Sequence, residues 1–217
     1  MDDQDALAAR VEIISQRLRG EALLERIRSV PRRQRERWVD TVLGLPKAPA
    51  DEPLPRGGVP YLPAGVDEIL DALRGVPMQA SDVFVDVGSG LGRVVLLAHL
   101  LTGAEARGIE IQGRLVRAAR GVAAALGLTG VSFSRADASD CALEGSVFFL
   151  YSPLTGEALR RVLFSLQELA SRQPIVVCTV GLELDHERWL TRRPRTSAAV
   201  SHYDAGPPGP QLHRNEK

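Results

Sequence analysis

Val85-Asp86-Val87-Gly88-Ser89-Gly90-Leu91-Gly92 is the stretch on which the reading of this chain turns. With Val83-Phe84 before it, a compact apolar strand runs straight into three glycines at alternate positions. Beyond them, Arg93 to Leu101 reads as a helix stopped by Gly103. A strand that ends in glycines and opens a helix lets backbone N–H groups approach a ligand closely, at the positive end of a helix dipole. Nucleotide-type cofactors use that geometry. A glycine triplet alone is a weak motif, so the surrounding pattern has to carry the assignment.

Outward from the loop, strands alternate with single helices. Val66 to Leu73 reads as a short amphipathic helix before the loop. After it come a strand at Ala106 to Ile111, a helix at Arg114 to Leu126, and strands at Val131 to Arg135, Val147 to Tyr151 and Ile175 to Val180. Ala158 to Leu169 is the helix between the last two. This alternation predicts right-handed βαβ crossovers and an α/β fold with a doubly wound, mostly parallel, Rossmann-like sheet. Glu110 falls 24 residues after Asp86, at the end of the second strand, where a carboxylate can accept both hydroxyls of a ribose. Asp137 follows the third strand. Three acids at the carboxyl ends of three successive strands meet at the crevice where open parallel sheets bind ligands. For Asp137 the alternative is a helix N-cap.

The dinucleotide fingerprint Gly-x-Gly-x-x-Gly requires glycine or alanine at position 93, which is Arg here. The spacing is instead Gly-x-Gly-x-Gly with Asp two residues before the first glycine. A pyrophosphate is repelled by a neighbouring carboxylate, whereas a ligand carrying an ammonium group is attracted to it. Asp86 therefore favours S-adenosylmethionine over NAD.

Asp86-Val-Gly-Ser-Gly-Leu-Gly-Arg93, Gly108-Ile-Glu110 and Arg135-Ala-Asp137 resemble the sequence motifs of the class I (seven-strand) S-adenosylmethionine-dependent methyltransferases, over about Val59 to Val180. Val59-Pro-Tyr-Leu-Pro63 is similar to the entry segment of the small non-SET protein-lysine methyltransferases. The resemblance implies that Asp86, Gly88, Gly90 and Gly92 lie near the methionyl end of the cofactor and Glu110 on its ribose. It also implies Asp137 near the adenine amine and Tyr61 on the active-site side. Such enzymes acting on amines carry a polar-Pro-Pro-aromatic run after the fourth strand, and this chain has Tyr151-Ser152-Pro153-Leu154 there. Tyr151 is thus the candidate catalytic residue, with simple packing as the alternative. The implied reaction is methyl transfer to a protein side-chain amine, lysine first. A small-molecule methyltransferase and a non-catalytic module that keeps the cofactor fold are the other readings.

Upstream, Leu7, Val11, Ile14 and Leu18 form one apolar stripe, and helical stretches follow at Glu21 to Val30 and Arg32 to Leu43, the latter with Trp38, Val42 and Leu45 on a buried face. Nine arginines lie between Arg10 and Arg37. Glu12, Glu21, Glu25 and Glu36 interleave with them at spacings that allow i,i+4 pairs. The segment can be a cofactor lid, a surface for a macromolecule, or a solvated face. Residues 44 to 63 hold six of the fourteen prolines. The expected organisation is a helical extension and linker at 1–58, a cofactor-binding domain at 59–203 and a disordered tail at 204–217. After Val180 only Arg195 to Tyr203 reads as a strand, so one member of the terminal antiparallel pair is expected to be missing or irregular.

Net charge is zero, which gives no general field for nucleic acid or anionic lipid. No apolar run reaches the ~18 residues of a membrane span. The acidic start differs from the basic start of a signal peptide, so the expected location is cytoplasmic. Cys141 and Cys178 read as buried free thiols, and the four histidines show no metal-ligand spacing, so no metal is expected. The expected partner is a protein or small-molecule methyl acceptor.

Overall fold

The computed structural model describes residues 3–54, 58–151, 154–195 and 197–207. Four helices precede the sheet: α1 (Asp3–Ile14), α2 (Gly20–Ser29), α3 (Arg32–Leu43) and α4 (Val66–Arg74). Then β1 (Val83–Val87), α5 (Arg93–Thr102), β2 (Glu105–Glu110), α6 (Gly113–Ala125) and β3 (Val131–Arg135) alternate. The chain continues through β4 (Val147–Leu150), α7 (Gly156–Ala170), β5 (Ile175–Val180), β6 (Thr191–Arg192) and β7 (Val200–Ala205). The strand order is β3-β2-β1-β4-β5-β7-β6. The first five strands pair in parallel, and β7 lies antiparallel between β5 and β6. This is the doubly wound, mostly parallel, Rossmann-like sheet expected from the alternation, and it has seven strands.

Strands buried on both faces feed two cores. Phe84, Phe149 and Cys178 point to a cluster shared with α5, α6 and the N-terminal helices. Val85, Val87, Phe148, Leu150 and Val177 point the other way, onto Val162 and Leu166 of α7. A run of apolar residues without polar alternation is what a strand covered on both sides requires. The sheet order reverses between β1 and β4, which opens a crevice at the carboxyl ends of those strands.

The N-terminal helices do not stand apart from this core. Ile13, Leu23, Ile27, Trp38 and Val42 belong to the same buried cluster as α5. The stripe expected to bury α1 faces outward: Leu7 is 53% exposed, Val11 66% and Ile14 46%. Ala6, Ala9 and Ile13 are buried instead. Two alanines let α3 approach closely, and the Trp38 indole N–H donates to Asp5 at 2.8 Å across that contact. Tertiary packing has overridden the larger apolar stripe. The expected i,i+4 pairs within the extension also do not form among the described residues. Arg37 pairs with Asp3, Arg26 with Asp5 and Arg35 with Asp67, because the packed helices bring acids of neighbouring elements closer.

At the far edge, the terminal pair is present but trimmed, since β6 has two residues. The strand expected from Arg195 to Tyr203 begins later, at Val200, and runs through Asp204 and Ala205 into the segment read as a tail. Ser152, Pro153 and residues 208–217 lie outside the described residues. Both thiols are free, and Cys141 is only half-buried, in contrast to the expectation for it. Burial pushes the Cys178 thiol up to about 12. Among the described residues no helix is long and apolar enough to cross a membrane, and no cluster of three or more His, Cys, Asp or Glu could hold a metal ion.

Candidate active site

A cavity of about 610 Å3 opens at the carboxyl ends of the parallel strands. On one side it is lined by Gly88, Glu110 and Asp137, from the ends of β1, β2 and β3. On the other it is lined by Tyr151, Val180 and Gly181, from the ends of β4 and β5. Tyr61 and Leu62 close it from above the loop. A smaller adjoining pocket shares Tyr61, Leu62, Gly88 and Tyr151, and there the wall includes Asp86, Ser89 and Arg93. The residues singled out in the sequence are thus brought together, with two exceptions: Gly90 and Gly92 line neither space.

The loop keeps its shape through backbone angles that only glycine adopts freely. Gly88, Gly90 and Gly92 have φ of 87°, 53° and 87°. At Gly90 a Cβ would overlap the Tyr61 ring, and at Gly92 it would meet Phe133 and Ala119. Gly92 is therefore a packing glycine, letting α5 leave β1 close to α6. Glu110 fixes the loop from the side. Its Oε2 accepts the Gly90 N–H at 2.9 Å and its Oε1 accepts the Gln112 N–H at 2.8 Å. Each oxygen retains a second lone pair for a ligand hydroxyl.

Asp86 is 3% exposed. Burial and the nearby Glu110 carboxylate push its pKa well above the carboxylate range. Ionised Asp86 is therefore costly until a cation is placed beside it. Asp137 adopts neither a helix cap nor a free position. No helix starts after it, and its Oδ1 accepts the Ser139 N–H at 2.9 Å in a local turn while the residue lines the cavity. Burial raises the Tyr61 hydroxyl pKa.

Residues 51–54 and 58–65, most of them within the 44–63 segment read as a linker, form a strap along this crevice. At one end the Gln112 side-chain amide donates to Asp51 at 2.9 Å, and the Glu52 carboxylate accepts the Arg114 N–H at the start of α6 at 2.9 Å. At the other end Arg93, 8% exposed, donates to the Ala64 carbonyl at 2.8 Å. The sequence reading missed Asp51, Glu52 and Gln112, although an acid pair inside a proline-rich segment was a usable signal. It also missed Glu68 and Glu183, which line the cavity. Among the described lining residues every charged side chain is acidic: Glu68, Glu110, Asp137 and Glu183. Such a wall favours cationic ligands and disfavours phosphates.

A model of the family described as Histone methylation protein DOT1 matches residues 64–127. No curated protein matches the chain. Among solved structures, an RNA methyltransferase from Salinibacter ruber in complex with S-adenosyl-L-homocysteine is similar, at 27% identity. That match covers 69% of this chain and 97% of the other, with a TM-score of 0.56. A putative methyltransferase from Escherichia coli, yhhF, is 18% identical over 71% of this chain and 91% of its own, with a TM-score of 0.53. A variant of MtNAS in complex with S-adenosylmethionine is 16% identical over 65% of this chain and 63% of its own, with a TM-score of 0.54.

Proposed function

We propose that this chain, an S-adenosylmethionine-dependent methyltransferase of the class I fold, delivers the methyl group to a side-chain amine of another protein, lysine above all. The observation that carries the reading is the acid-only charge of the cavity wall among the described residues. A lysine enters as a cation, and the Glu68 carboxylate attracts it, while Glu183 in the same lining is paired to Arg192 and Arg195. A phosphodiester chain meets repulsion at the same place. The partial match to a histone-methylation family points the same way.

The residues present fit the cofactor. Asp86 supplies a buried carboxylate that a methionyl ammonium would neutralise, Glu110 keeps acceptor capacity for ribose hydroxyls, and Asp137, which lines the cavity, would accept from an adenine amine. Tyr61 and the glycine loop close around it. When bound, S-adenosylmethionine supplies a methyl group on a sulfonium, and the sulfur leaves as a neutral thioether. The chain's own work is to orient the nitrogen in line with that methyl and to exclude water. The amine must be neutral to attack: the acidic wall that draws it in favours the ammonium, while burial and the positive charge of a bound sulfonium would favour loss of the proton to solvent. Tyr151 follows β4 and lines both pockets, and its hydroxyl would accept or donate a hydrogen bond at that nitrogen.

The similar Salinibacter enzyme, an RNA methyltransferase, favours a second reading with an RNA acceptor. One experiment separates them. The protein is incubated with tritiated-methyl S-adenosylmethionine and a cell lysate, which is then divided into protein, nucleic acid and small-molecule fractions. The expected result is label in protein, recovered as methyllysine after hydrolysis. Label confined to RNA establishes the second reading, and label confined to small molecules overturns both.

A further inference from the structure

We infer that Arg93 is a positioning residue which couples helix α3 to the cofactor crevice by holding both the glycine loop and the strap in place. It stands at the first position of α5, directly after Gly92. Its guanidinium is almost fully used. The Nε donates to Asp40 Oδ1 at 2.9 Å and one terminal nitrogen to Asp40 Oδ2 at 2.7 Å, a bidentate pair. The other terminal nitrogen donates to Glu36 Oε2 at 2.7 Å and to the Ala64 carbonyl at 2.8 Å. Glu36 turns its second oxygen to the Val66 N–H at 2.7 Å, and so supplies the acceptor that the start of α4 lacks from its own N-cap, Gly65.

Residues 64 and 66 are thus tied at two points to one ion cluster. Just before them lie Tyr61, whose ring packs on Gly90, and Leu62 at the cavity mouth. The opposite end of the strap is tied through Asp51 and Glu52 to Gln112 and α6, next to Glu110. The described parts of the strap, 51–54 and 58–65, therefore have one anchor each, and each anchor adjoins one of the elements that shape the crevice. Asp40 and Glu36 both belong to α3, in the helical extension. A surface salt bridge contributes little. This cluster differs because its central cation is buried, and because a Lys cannot reproduce four directed bonds from one planar group. Preorganising a binding wall raises affinity by removing ordering costs.

The inference rests on the cofactor reading and not on the identity of the acceptor. The test uses the full chain and the variants Arg93→Lys, Asp40→Asn and Glu36→Gln. S-adenosylhomocysteine binding is measured by calorimetry, and amide hydrogen exchange is followed over residues 58–66. Arg93→Lys and Asp40→Asn are expected to weaken binding about tenfold, the size of a lost charge-assisted bond. Glu36→Gln is expected to weaken it about threefold, since the amide keeps one acceptor for Val66 or Arg93. Exchange at 58–66 is expected to rise in the same variants. Parental affinity and protection in folded Arg93→Lys and Asp40→Asn would overturn the inference and leave only a structural staple. Should Arg93→Lys fail to fold, Asp40→Asn and Glu36→Gln decide on the same criteria. A parent that binds no S-adenosylhomocysteine would overturn the cofactor reading itself, a result distinct from failure of the coupling.

Discussion

The two sides of the cavity are built in different ways. Toward β3, the wall is set by backbone: Gly88 lines it, Gly90 and Gly92 hold the loop behind it at positive φ, and Glu110 is held by two N–H groups at a fixed register of β1, β2 and β3. Toward β7, the wall is side chains and loops. Tyr151 follows a four-residue strand, β6 has two residues, and Glu183 is exposed and paired with Arg192 and Arg195. The difference teaches where each kind of information sits. Cofactor binding is written in chain geometry, which tolerates few residue types. On the proposed reading, acceptor choice rests on surface side chains, which tolerate many.

The largest effect should come from forcing a side chain into the backbone wall. Gly90→Val places a β-branched residue at φ 53° against the Tyr61 ring. Backbone strain of this kind costs about 1–3 kcal/mol, and displacement of Tyr61 adds to it. S-Adenosylhomocysteine affinity is expected to fall by about two orders of magnitude in calorimetry, with the fold checked by circular dichroism. Near-parental affinity would break the contrast between the two sides.

Asp86→Asn should come next, and it should move stability and binding in opposite directions. The folded-state pKa of Asp86 lies above its ordinary value of 3.8. Over the window between the two values the native state holds a proton that the unfolded chain has released, so stability falls as pH rises through it. Asparagine removes that fall. The free variant is expected to melt higher than the parent at neutral pH, while cofactor affinity drops by about 1.5–3 kcal/mol, the size of a charge-assisted hydrogen bond. A lower melting temperature with an unchanged pH slope would show that Asp86 is not ionised against the cost of burial.

On the acceptor side the effects should be smaller and confined to turnover. Tyr151→Phe keeps the ring and removes the hydroxyl. It is expected to lower kcat on a lysine peptide several-fold, about 1 kcal/mol, with cofactor affinity unchanged. Equal turnover would reduce Tyr151 to packing. The least change is expected for Glu183→Gln, where an exposed ion pair is worth about 0.5 kcal/mol or less. Its signature is a rise in the lysine peptide's KM that disappears at high salt. A salt-independent rise would point to a shape effect instead.

The same contrast explains what the sequence disclosed. Strands β1 to β5 were legible because each is a short apolar run bounded by turn residues, and the crevice followed from their order. Asp86, Glu110 and Asp137 were legible as acids at strand ends. Arg93 read only as an argument against a dinucleotide, since its partners Glu36, Asp40 and Ala64 lie far away in the chain. The buried face of α1 was misread because alanines at 6 and 9 outweigh the larger Leu7 and Val11 once α3 can pack close. Strand β6 escaped because two residues carry no periodicity. Glu68 and Glu183 gave no local sign of facing one cavity.

The central claim is that this crevice takes a sulfonium cofactor and not a phosphate-bearing one. Calorimetry of the unmodified protein with S-adenosylmethionine, S-adenosylhomocysteine and NAD tests it most directly. The account predicts binding of the first two with dissociation constants in the range of about 1–100 μM, some 5–8 kcal/mol, and no heat with NAD. Heat with NAD and none with either sulfur compound would contradict it.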